Sequence, residues 1–308
     1  MARLGLPDLV SAGPRAVGRY TGTLLAVFLV QTILAIGCMV GIAALLAQVF
    51  AHLPMWDEAV DGDLFAVIGC IRYAHAHLMG TAGIAFGALL LWQLASWFLV
   101  GGTLGVLAQK PEGRGDTART FGASGAATYL AYARLELCAL PGYALVMFAF
   151  AIGLGAVGSR LAYALTLPQL LWPLALGILP GVILLHVMWT VMDYARVELS
   201  LRHESHAPGA LMTFFRTIGY VLRRPVTLVH AGLGWLVFVV ITIGYAFLAH
   251  GHPMFGAEGA VALFVIRQGV ALARSTIRYA VLSGQVEIGR TRPLPPRRIE
   301  SPSESTKD

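Results

Sequence analysis

Three arginines, Arg267, Arg274 and Arg278, stand at i, i+7 and i+11 in a stretch from Gly259 to Gly284 that holds no other charged residue. At about 100° per residue of α-helix, these positions fall within about 40° of one another and form one stripe. Arginine presents a planar fork of donors that matches a carboxylate or a phosphate. Inside a bilayer such a group costs about 2.5 to more than 10 kcal/mol, so each arginine needs a partner, water or a route to the surface. Two chemistries follow. The stripe either lines a basic cavity that takes an anionic headgroup or small anion, or it forms an internal ion-pair network. The acidic partners within reach in sequence are Asp193, Glu198 and Glu136. Asp193 is expected at the depth of Arg278, which predicts an ion pair between them. His186 stands seven residues before Asp193 on the same helical face, a spacing suited to a proton path. Because the arginines all face one way, the stripe is expected to turn toward other helices and away from lipid.

The histidines offer a weaker chemistry. His75 and His77, and His250 and His252, form two H-x-H pairs, and imidazole is a common zinc or copper ligand. On a helix, however, i and i+2 side chains point apart, and no cysteine or acid is tied to these pairs by spacing, so no metal site is expected. Cys38, Cys70 and Cys138 lack C-x-x-C spacing and read as small apolar residues. The chain has no H-E-x-x-H, G-x-S-x-G or phosphate-loop motif, and Ser96 has no His or Lys at helical spacing to activate it. Neither catalytic residues nor a cofactor are expected.

The elements that must position these groups are apolar. Of 308 residues, 57% are hydrophobic and 12% charged, about half the charge of a soluble domain, and the mean hydropathy is +0.72. A bilayer span needs about 20 apolar residues. The runs that supply them lie at about 21–51, 78–109, 137–158, 161–192, 225–250 and 259–284. The expected fold is therefore an all-α membrane protein, with six transmembrane helices arranged as three hairpins in a single domain over 1–284. Residues 285–308, rich in Pro, Ser, Arg and Glu, are expected to be a disordered cytoplasmic tail. Pro141 suits the first turn of the third span. Pro168, Pro173 and Pro180 predict a kink or late start in the fourth.

Lys and Arg accumulate in the cytoplasmic loops of membrane proteins. Seventeen of the 22 basic residues lie in the N-terminal segment, the connections after Lys110 and after Asp193, and the tail, against only Arg72 and Arg160 in the opposite loops. Both termini are thus expected in the cytoplasm. A net charge of +6 spread in this way flanks membrane spans and does not make a nucleic-acid face. The basic connections also carry helical periodicity, Phe121 to Tyr143 and Phe214 to Gly232 being alike, so cytoplasmic interfacial helices are expected before the third and fifth spans. Small-residue pairs at Gly37/Gly41, Gly83/Gly87, Gly101/Gly105 and Gly177/Gly181 would let helices approach closely.

Three segments, FLVGGTLGVLAQ (Phe98 to Gln109), TFGASGAATYLAYARLEL (Thr120 to Leu137) and MDYARVELSLRHESHAPGALMTFFRTIGYVLRRP (Met192 to Pro225), carry a resemblance. Together they resemble an uncharacterised family of bacterial six-span inner-membrane proteins. In layout the chain is more distantly similar to the membrane domain found with glycerophosphodiester phosphodiesterases, although it contains no phosphodiesterase domain. The resemblance implies a multi-pass protein of the bacterial inner membrane and brings no catalytic residues.

Together these readings predict a non-enzymatic polytopic membrane protein. It would contact anionic lipid, or a membrane protein partner or second copy of itself, through its basic inner face and the candidate ligand-binding residues Arg267, Arg274 and Arg278. The alternative is a transporter or channel for a small anion or proton-coupled substrate, with Arg267, Arg274, His186 and Asp193 along its path.

Overall fold

The structure, a computed structural model, describes residues 6–50, 53, 55–60, 66, 69–70, 75–162, 166–202, 209–251, 257–291 and 293. The described elements are helices: α1 (Leu6–Arg19), α2 (Thr21–Phe50), α3 (Trp56–Val60), α4 (His75–Gln109), α5 (Arg114–Ala162), α6 (Leu167–Leu201), α7 (Ala210–Leu222), α8 (Pro225–Gly251) and α9 (Ala257–Thr291). No strand occurs among the described residues. Five helices, α2, α4, α5, α6 and α8, are long and apolar enough to cross a membrane. The sixth long helix, α9, has 35 residues but carries the three arginines and stands outside that set.

Apolar side chains cover the outside of the long helices. Ile33, Phe86, Phe148, Trp172 and Phe247 are all exposed, Trp172 at 71% and Phe247 at 76%. Apolar surface on this scale is stable against acyl chains and not against water. The true core is confined to one end of the bundle. It holds Leu104, Val106 and Leu107 of α4, Tyr132 and Leu135 of α5, Val191 to Leu199 of α6, and Leu282, Val286 and Ile288 of α9, with Leu9 of α1 against them. The basic connections emerge at this end, hereafter the basic end.

Tertiary packing moves several boundaries from where hydropathy places them. The expected polar connection over 110–136 is helical from Arg114, continuous with the third apolar run in one helix of 49 residues. No separate interfacial helix precedes that run. The reason is packing: Gly101 and Gly105 of α4 admit Thr128 and Ser124 of α5, so the polar half is held in helix by its neighbour. Pro141 accordingly sits inside the helix and not in its first turn. Ser159 and Arg160, which separate the third and fourth apolar runs, are also helical. The fourth run starts late, at Leu167, with Pro168 in the first turn and the Gln169 side chain accepting from the Thr166 amide at 3.2 Å. This helix continues nine residues past the expected end, to Leu201.

The last boundary is also corrected. Residues 285–291, expected in a disordered tail, extend α9 to Thr291, because Gln285, Val286 and Ile288 are buried there. Residues 294–308 lie outside the described residues. Before the fifth run, α7 is the expected amphipathic helix, burying Thr213, Phe214, Thr217, Tyr220 and Val221 and ending at Arg223 just before Pro225 opens α8. The N-terminal segment forms a further amphipathic helix, α1, which packs along α9.

Candidate functional site

The basic end contains a chain of alternating charges that ties three helices together. Asp193 of α6 is 3% exposed and receives both guanidinium amines of Arg278 from α9, Nη1 on Oδ2 and Nη2 on Oδ1. Its Oδ1 also lies 3.7 Å from Nη1 of Arg196, one turn along α6. The Arg196 guanidinium in turn donates to Glu136 of α5. Beside it the Tyr132 hydroxyl donates to the Arg196 carbonyl at 3.1 Å and shares a 2.6 Å hydrogen bond with Ser200. Two carboxylates and two guanidiniums, Glu136, Arg196, Asp193 and Arg278, thus form a series with no net charge. In a low dielectric each member stabilises its neighbours, and removing one strands the next.

Helical periodicity explains this assembly. Asp193 and Arg196 are at i and i+3 and share a face of α6. Glu136 is the last charged residue before the exposed apolar belt of α5, which begins with Leu137 and Leu140. The ion chain therefore sits where that belt meets the basic end. The expected Asp193–Arg278 pair is present. Arg196, its second partner, was not among the expected site residues, because the helix was expected to end at Met192. Its signal was the i+3 spacing from Asp193.

The rest of the stripe departs from expectation. Arg274 and Arg267 do not turn into the bundle; both are exposed, as is the Arg278 side chain at 45% despite its ion pair. Arg274 lies over the Phe238 ring of α8, 5.3 Å from its centroid, a cation–π contact. At about 1.5 Å per residue, Arg274 is about 6 Å and Arg267 about 16 Å from Arg278 along α9. Among the described residues no carboxylate lies within ion-pair distance of either. The spacing does put the three on one face, but α9 is buried chiefly from Tyr279 onward, so among the described residues only Arg278 meets a carboxylate on another helix.

The remaining candidates take other roles. Glu198 is buried and pairs with Arg202 one turn along its own helix. His186 does not reach toward Asp193: its Nε2 bonds the Leu228 carbonyl of α8 at 3.1 Å and ties α6 to α8. The side chains of His75, His77 and His250, and the whole of His52 and His252, lie outside the described residues. Among the described residues no three His, Cys, Asp or Glu side chains converge as metal ligands would. Gln285 and His230 are among the buried polar groups that sequence alone did not single out. Gln285 is fully buried with neither amide atom hydrogen-bonded among the described residues, and His230 packs so closely on Gly284 that a Cβ there would lie 2.5 Å from its Nε2. Neither carries a spacing that would have singled it out.

Two of the four small-residue pairs mark close contacts. A Cβ on Gly177 would meet Gly153 O at 2.8 Å, and Gly181 lies on the Phe150 ring; Gly101 and Gly105 seat α5 on α4. Gly37, Gly83 and Gly87 face open space. No family model, curated protein or solved structure matches the chain.

Proposed function

We propose that this is a non-enzymatic, six-span protein of the bacterial inner membrane, with both termini in the cytoplasm, that contacts anionic lipid through its basic end and the exposed arginines of α9. The carrying observation is the unequal treatment of the three arginines. Arg278 is neutralised by Asp193, whereas Arg274 and Arg267 extend from an apolar helix with no carboxylate within ion-pair distance among the described residues. An unneutralised guanidinium at such a depth is best offset by an external anion, and Arg274 is close enough to the basic end to reach a phosphate by snorkelling. The six-span reading takes α9 as the sixth crossing, with its arginines as the reason for its low hydropathy. The likeness to bacterial six-span proteins belongs to the same proposal, as does a membrane protein partner at Arg267.

The transport reading needs Arg267, Arg274, His186 and Asp193 along one path. Asp193 is occupied by two guanidiniums and His186 by a backbone carbonyl, which favours the lipid reading. Replacing Arg274 with Gln tests it. The variant should purify with less acidic lipid, and wild type and variant should give equal ion leak in liposomes. A wild-type flux lost in Arg274→Gln would overturn the proposal.

A further inference from the structure

The amphipathic helix α1 is fixed along the last turns of α9. Leu9 is 2% exposed, Ser283 donates to the Ala12 carbonyl at 3.1 Å, and Gly13 lies so close to Ala280 that a Cβ would fall 2.7 Å from the alanine methyl. Its other flank borders a groove of about 470 Å³, closed by the end of α4 and the end of α9. Arg15 and Arg19, one turn apart, both line it, and Lys110 stands across from them.

The charges in the groove are unevenly answered. Glu287 is held by Lys110 at 2.7 Å and by Arg290 at 3.5 Å, so this acid already has two cations. Among the described residues Arg19 has one carboxylate, Glu112, at the 4.0 Å limit of an ion pair, and that glutamate is 94% exposed, so water screens the pair; its guanidinium also lies over the Tyr20 ring, 5.5 Å from the centroid. Lys110 has φ +52, the left-handed conformation that a non-glycine residue adopts at a cost, and there its amide still bonds the Val106 carbonyl at 3.0 Å. A third observation points to a ligand. Tyr20 also lines the groove, is 6% exposed, and its buried hydroxyl has no hydrogen-bond partner among the described residues. Arg15, Arg19 and the Tyr20 phenol line a space large enough for a headgroup, together with the carboxylates of Asp8 and Glu287, of which Glu287 is already neutralised by Lys110.

We infer that this groove binds a phosphate-bearing anion, with Arg15 and Arg19 gripping the phosphate oxygens and Tyr20 donating the remaining hydrogen bond. Arginine forks suit tetrahedral phosphate, and an amphipathic helix at a membrane surface brings the site level with lipid headgroups. The source assigned is therefore the headgroup of an acidic phospholipid. This deepens the lipid reading above and rests on it.

The full chain, purified in detergent, is titrated with phosphatidylglycerol, with phosphatidylcholine and with inorganic phosphate, and bound species are counted by native mass spectrometry. Wild type should retain phosphatidylglycerol over phosphatidylcholine. The double variant Arg15→Gln/Arg19→Gln should bind it at least tenfold more weakly, and Tyr20→Phe several-fold more weakly with the melting temperature unchanged. Arg119→Gln, an exposed arginine paired within its own helix to Asp116, should bind as wild type does. Inorganic phosphate that binds wild type but not the double variant, without any preference for phosphatidylglycerol, keeps the site and overturns the lipid source. A double variant that binds as wild type does overturns the site. If Arg274→Gln alone then loses lipid, the broader lipid reading survives that failure.

Discussion

Asp193 is the residue on which the buried polar chain turns, since it alone touches both guanidiniums. Asp193→Asn leaves Arg196 and Arg278 with one carboxylate, Glu136, between them and should destabilise the protein by about 3 kcal/mol in mixed-micelle denaturation. Arg278→Gln should cost less, about 1 to 2 kcal/mol, because the Arg278 side chain is 45% exposed and Asp193 keeps Arg196. Equal losses would mean that Arg196 contributes nothing to Asp193. At this scale the sequence was half legible. Parallel directions for the fourth and sixth apolar runs place Asp193 and Arg278 at one depth, and the pair follows. What stands opposite Arg267 and Arg274 did not follow, because periodicity assigns a face to a residue and not a neighbour to that face. Tyr20 and Arg15 were invisible for a related reason: their groove is made by segments that meet from opposite ends of the chain.

Helices pack here by the removal of side chains at chosen points. A Cβ on Gly153 would run into the Gly177 carbonyl oxygen, whereas a Cβ on Gly155 would meet nothing within 4 Å. Gly153→Ala should therefore push α5 from α6 and cost about 1 to 3 kcal/mol. Gly155→Ala, in the same helix, should be neutral or stabilising by up to about 1 kcal/mol. Equal effects of the two changes would contradict the close crossing. The apolar runs were legible as helices because hydrocarbon demands that every backbone amide be bonded internally. Their ends were not. Residues 114–136, 193–201 and 285–291 are polar enough to read as connections or tail, yet each is held in helix by neighbours contributed from elsewhere in the chain.

Taken whole, the molecule has its packed core and its basic connections at the same end, with apolar belts beyond. In the proposed orientation that end is cytoplasmic. In a background without Cys38, Cys70 and Cys138, a cysteine at Glu112 should react with an impermeant thiol reagent only after the membrane is opened, and one at Glu58 should react from outside. Labelling of position 112 in intact cells would invert the topology. The docking of α1 on α9 carries one more implication, about assembly in time. Helix α1 leaves the ribosome long before its berth exists, since Ser283 follows Ala12 by 271 residues. Until α9 is made, α1 lacks the surface that buries Leu9, so its docking follows the synthesis of every helix between them and a product cut short of α9 would leave α1 unlatched.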